Sequence, residues 1–292
     1  MEKILKITLK KGDVEYINQF KDRVQGIEIQ LLDLKPLRFD LLEKLEIPIK
    51  SIHIDLFTKE KLKEYEEKKL SPFKVQELIF NALSDDEERI EHLREIMQFC
   101  NDKKIMLLMH SGYSIDNFAK KKQEKIYRTI RGWINDFPNL NFYLENAGQL
   151  EKKSSSLILQ AWEVPMFCKE LNKRFHCERF YPLLDICHYY SAFAESLTFP
   201  PINIKDTISL YKSSKMALHF NYGIGNCSGK NHSVNFNSNP ELCKKLLKKI
   251  HRVNPNARLI LEVLEDDYKT NERPNMVALL EMVERFEKEL NL

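Results

Sequence analysis

Six positions that close apolar, strand-like runs carry side chains able to bind a metal or move a proton: His53, His110, Glu145, Asp185, His219 and Glu262. Glu145 ends Phe142-Tyr143-Leu144 and is followed by Asn146-Ala147-Gly148, an amide and a small-residue turn. A carboxylate delivered to the end of a buried strand is costly unless it is paired, hydrogen-bonded or bound to a cation. The pattern recurs where Ile47 to Ile52 reaches His53 and Ile105 to Met109 reaches His110. Phe180 to Leu184 reaches Asp185, with His188 three residues on, Met216 to Leu218 reaches His219, and Leu259 to Leu261 reaches Glu262. Glu145, Asp185, His219 and Glu262 together imply a cation, because such groups gathered on one rim would otherwise repel one another or be stranded away from water. A single histidine such as His53 or His232 is, by itself, read as a rim residue satisfied by hydrogen bonds.

These residues lie 34 to 57 positions apart, about one βα unit or a little more. Strand ends at that spacing meet on one rim when parallel strands close into a barrel, so the expected fold is α/β, a single (β/α)8 TIM barrel with its site at the C-terminal rim. At 292 residues with 43% hydrophobic residues, the chain accommodates a barrel of roughly 250 residues as one domain, 1–292. Ile4 to Leu9 reads as the first strand, and Val14 to Val24 as a helix from the spacing of Val14, Ile17, Phe20 and Val24. Gly26 to Leu31 reads as the second strand, with Glu28 opposite Ile27, Ile29 and Leu31, so Glu28 is either an inward polar residue or a solvated one near an end.

A Lys/Glu-rich stretch, 58–70, precedes a proline break and a helical pattern reaching Asn101; a solvated helix is the favoured reading, a lid or oligomer contact the other. The lysines Lys120, Lys121 and Lys122, and the stripe Lys244, Lys245, Lys248 and Lys249, fit the solvent face of outer helices. The segment 221–240 is long and rich in Gly, Asn and Ser, carries Lys230 and His232 beyond His219, and is read as a functional rim loop. Tyr113, Trp162, Tyr189 and Tyr190 either line a pocket or pack the barrel.

With 46 basic and 43 acidic residues the net charge is +3, which gives no global case for nucleic acid and leaves a local basic groove open. The charged, alternating start of the chain does not read as a signal peptide, and no apolar run is long enough to span a bilayer, so a cytoplasmic protein without a membrane partner is expected. Its six cysteines form no CxxC pair and suit reduced thiols, Cys187 beside Asp185 included.

Five fragments taken in order, His110-Ser111-Gly112, Glu145-Asn146-Ala147-Gly148-Gln149, Leu184-Asp185-Ile186-Cys187-His188, His219-Phe220-Asn221 and Ile260-Leu261-Glu262, resemble the xylose isomerase-like superfamily of divalent-metal TIM barrels. The superfamily includes sugar isomerases and epimerases and the AP endonucleases of the endonuclease IV type. In the sugar branch the resemblance implies one ion on Glu145, Asp185, His219 and Glu262, with Glu145 and Glu262 also the catalytic acid and base. In the nuclease branch it implies three zinc ions, with His53, His110, His188 and His232 as further ligands and DNA as partner. Lys230 stands where that branch has an aspartate, so one ion is expected and two at most. Gly26-Ile27-Glu28-Ile29 also resembles the sugar branch, and Leu32-Asp33-Leu34-Lys35-Pro36 replaces the nuclease's DNA-contacting loop. His232 leads into Ser233-Val234-Asn235, without the Gly-x-Gly common to both branches.

The expected function is therefore a Mn, Zn, Co or Mg-dependent isomerase or epimerase of a small sugar or sugar-like polyol, with His188, Asn221 and Lys230 as substrate-binding candidates. A zinc AP endonuclease is the alternative, a barrel retained only for binding the third reading, and a homodimer is common among relatives.

Overall fold

In the computed structural model the described residues are 1–9, 13–31, 37–54, 87–110, 120–146, 160–194, 202–212, 217–222, 236, 239–263 and 273–292. Residues 87–90, 110, 120–123, 125, 126, 191–194 and 217–222 are described in their backbone alone. The strands are β1 (Glu2–Ile7), β2 (Gly26–Leu31), β3 (Ile49–Ile54), β4 (Met106–His110), β5 (Asn141–Glu145), β6 (Phe180–Asp185), β7 (Ala217–Tyr222) and β8 (Arg258–Val263). Every neighbouring pair is parallel, and β8 pairs with β1, closing the barrel. The helices are α1 (Asp13–Asn18), α2 (Phe39–Leu42), α3 (Glu87–Lys103), α4 (Lys120–Asp136), α5 (Val164–Phe175), α6 (Ile186–Ala194), α7 (Ile204–Leu210), α8 (Pro240–Val253) and α9 (Pro274–Leu290).

Period-two alternation divides each strand between two environments. Leu5, Ile27, Ile29, Ile52, Leu107, Phe142, Leu184, Leu259 and Leu261 face outward and pack beneath the helices, against residues such as Ile96, Leu171, Leu247 and Val283. The inward side chains form two layers. Ile4, Met106, Leu108, Tyr143, Leu183 and Ile260 make a separate apolar plug in the lower barrel. Above it the inward positions turn polar: Lys6, Glu28, Ser51, His53, Glu145 and Asp185 are all buried. Glu28 is thus resolved as an inward residue of the barrel, fully buried, and not a solvated one.

The helices follow their local signals. In α8, Asn239 accepts a hydrogen bond from the Leu242 amide at 3.2 Å, Pro240 occupies the first turn, and Cys243, Leu246, Leu247 and Ile250 make the buried stripe. Lys244 on the other face pairs with Glu289 of α9 at 2.6 Å. Asn172, near the end of α5, accepts from the amides of Arg179 and Phe180 at 3.0 Å and donates to the Phe180 carbonyl at 2.8 Å, fixing where β6 begins.

Some boundaries differ from the sequence expectation. β1 covers Glu2–Ile7 and α1 stops at Asn18, with turns following. β3 continues to Ile54, which pairs with Leu31 and Met109, and β7 continues to Tyr222, which pairs with Val263. His53 and His219, like Glu262 one residue before the end of β8, therefore lie inside strands and do not close them, because β2 and β4 beyond His53, and the mutual pairing of β7 and β8 beyond His219 and Glu262, keep the backbone hydrogen-bonded. Trp162 precedes α5, half-buried against the core. Tyr189 donates to the Ile202 carbonyl at 2.9 Å, and Tyr190 meets it edge-on with ring centroids 5.2 Å apart, which is packing. The 58–70 segment, Tyr113, Lys230 and His232 lie outside the described residues.

Candidate metal centre

Asp185 is the last residue of β6, and α6 begins at the next position, so its side chain sits where the first turn exposes backbone amides. Its Oδ1 accepts from the His188 amide at 2.7 Å, and that turn brings the His188 ring back over the carboxylate, Nδ1 lying 3.3 Å from Asp185 Oδ2. Asn146 joins this corner to β5: its Oδ1 accepts from the Asp185 amide at 2.8 Å and its Nδ2 donates to the Asp185 carbonyl at 3.0 Å. The Asn146 carbonyl lies 3.0 Å from His188 Nδ1, and since a carbonyl only accepts, Nδ1 carries the proton and Nε2 is the ring's acceptor atom.

Glu145 completes the group. One of its oxygens is 3.5 Å from His188 Nδ1 and the other 3.6 Å from His53 Nε2. His53 spans to Glu28, with Nδ1 at 3.6 Å from Glu28 Oε1, and Glu28 in turn accepts from Ser51 Oγ at 2.6 Å. On the far side, Lys6 Nζ lies 2.5 Å from Glu262 Oε2 and 3.9 Å from Glu28 Oε1. Burial pushes the Lys6 ammonium down, but Glu262, Glu145 and Glu28 outweigh it and hold it well above the usual lysine range. Burial likewise pushes His188 down, while Asp185, Glu145 and Glu262 prevail and raise it.

Donor atoms of Glu145, Asp185 and His188 lie within 4.8 Å of one another, and both carboxylates are fully buried. Two like charges at that separation repel by about 3 kcal/mol at an effective dielectric constant of roughly 20, which a divalent cation reverses. The mixed carboxylate and imidazole set, with Cys187 turned into the core, fits a divalent ion held without thiolate.

The sequence candidates divide as follows. Glu145, Asp185, His188 and His53 are gathered within a few ångströms, and Glu262 joins them through Lys6 and Glu28. His219 lies beside Asp185 in the β6–β7 register, Asn221 beside Glu262, and His110 beside Glu145, each described in its backbone alone. Lys6 and the Asn146 clamp did not figure among the candidates. A lysine at the inward position of an otherwise apolar Ile4-Leu5-Lys6-Ile7 run was the available signal for the first.

The closed barrel has the fold of the xylose isomerase-like TIM barrels. A D-tagatose 3-epimerase-like protein superposes with a TM-score of 0.58 at 14% identity, covering 100% of this chain and 98% of that one. The Methylomonas sp. D-allulose 3-epimerase, solved with D-allulose, gives 0.55 at 12% identity over 99% and 96%. The probable 3-DHS dehydratase of Bacillus anthracis gives 0.57 at 13% identity over 97% and 99%. No family model and no curated protein matches the sequence.

Proposed function

We propose that this protein is a divalent-metal-dependent isomerase or epimerase of a small sugar or sugar-like polyol. The observation that carries the reading is the convergence of Glu145, Asp185 and His188 on one point of the polar barrel end. Solved neighbours that include epimerases of tagatose type and allulose support it. Glu145, Asp185 and His188, with His219 and Glu262 as the resemblance implies, would hold the ion. Bound there, it would polarise a substrate oxygen and make the adjacent C–H more acidic.

The protein's own groups then move the proton. Glu145 and Glu262 come from β5 and β8, non-adjacent strands of the barrel, and are suited to approach a substrate carbon from different sides. One carboxylate takes the proton from carbon and the other returns a proton. Return to the same carbon on the opposite face inverts it; return to the neighbouring carbon isomerises the sugar. His188, with Nδ1–H committed to the Asn146 carbonyl, presents Nε2 to a substrate hydroxyl when it is not on the ion, and Asn221 and Lys230 remain candidate hydroxyl partners.

The test is proton exchange. Protein reconstituted with Mn, Co, Mg or Zn is incubated with a panel of ketopentoses and ketohexoses in heavy water and followed by NMR. Deuterium should enter carbon beside the carbonyl in at least one sugar. No exchange with any sugar, accompanied by cleavage of duplex DNA at an abasic site, would replace this reading with the zinc endonuclease.

A further inference from the structure

The buried end of the barrel holds more carboxylate than one divalent ion uses. Glu28, Glu145 and Asp185 are fully buried and Glu262 is 17% exposed at its side chain, while His53 and His188 add imidazoles. Such an assembly has the ligands for two ions. One half, Glu145, Asp185 and His188, has its donor atoms clustered. Beside it, Glu28 and Glu262, the latter shared with the first ion in the function proposed above, already hold a cation, and His53 borders Glu28. Lys6 Nζ is 2.5 Å from Glu262 and 3.9 Å from Glu28, and His53 lies 3.6 Å from the same Glu28 oxygen.

We propose that Lys6 is a tethered counter-cation that stands in place of a second metal ion and restricts the barrel to one. The argument is charge and space. An ammonium on β1 neutralises part of the excess carboxylate when no ion is bound, and a second divalent ion cannot share that position with it. Lys6 and Glu262 line a recess together with Thr8, Asp13, Gln30 and Arg273. Among the described residues of the recess, Arg273 pairs with Asp13 at 3.1 Å, and Lys6 faces the carboxylates of the centre.

The inference rests on metal binding as proposed above and not on the sugar chemistry. Ion-stripped wild type, Lys6→Gln and Lys6→Arg are titrated with Mn and with Zn by calorimetry, and ions per chain are counted by elemental analysis after desalting. Wild type and Lys6→Arg should saturate at one ion per chain, and Lys6→Gln at two. Thermal melting of ion-free Lys6→Gln should lie below wild type and recover as ions are added. Two ions on wild type with Lys6 in place would overturn the proposal, and this count needs no variant to fold. One ion on a folded Lys6→Gln, with unchanged affinity, would overturn it equally. Zero ions on wild type would remove this inference and the metal dependence together, whereas one ion without proton exchange on any sugar would fault the proposed function alone.

Discussion

Replacing Glu145 by Gln keeps the size of the side chain but removes a base and a negative charge from a fully buried position beside His53 and His188. Proton transfer by one positioned group contributes on the order of 10²–10⁴ in rate. Glu145→Gln should therefore lower sugar proton exchange by at least about 10²-fold while the protein remains folded, as NMR exchange rates and circular dichroism would show together. His188 supplies a pH dependence. Its pKa is raised from its ordinary 6.5, the carboxylates outweighing burial. Without an ion, the protonated ring contributes stability that is fully present below the unfolded value and lost as pH rises through the folded value. An ion needs the ring deprotonated, so ion affinity should weaken as pH falls through the same raised value. Melting in chelator against His188→Gln, and calorimetry with Mn across the neutral range, measure the two opposed slopes. A wild-type melting profile that parallels His188→Gln would refute the assignment.

At the scale of elements, two asparagines do similar structural work with different consequences. Asn146 fastens β5 to the corner between β6 and α6, bonding both backbone groups of Asp185. Asn172 organises the opposite end of β6 through Arg179 and Phe180. Truncating either leaves backbone groups without a partner, a loss of about 1–3 kcal/mol per buried group. Asn146→Ala and Asn172→Ala should both melt several degrees lower. Only Asn146→Ala should also weaken ion binding, because only it loosens Asp185 and His188. Equal ion affinities in the two variants would show that the clamp does not position the ligands.

At the scale of the whole molecule, the carboxylates of the polar barrel end come from β2, β5, β6 and β8 around the closed ring, so an ion among them ties together strands remote in sequence. A ligand present at a hundred times its dissociation constant stabilises the native state by about 2.7 kcal/mol. Chelation should lower the melting temperature, and stepwise return of Mn or Zn should raise it to a plateau. A melting temperature indifferent to both would mean that the native barrel holds no ion.

The sequence by itself carried the parallel strands, their order and most of the polar rim. Apolar runs ending in Glu145, Asp185 and Glu262 are local patterns, and a period of two states which residues share a face. It did not settle Glu28, because alternation separates two faces without saying which is the interior. It ended β3 and β7 at their histidines, because hydrogen bonds from neighbouring strands, and not local composition, carry them on to Ile54 and Tyr222. Lys6 could be understood only in the closed barrel. Its partner Glu262 is 256 residues away along the chain and becomes adjacent because β8 pairs with β1. Which charges neutralise one another is a property of that closure and its register, so the sequence named candidate ligands while the tertiary structure decided the cation already among them.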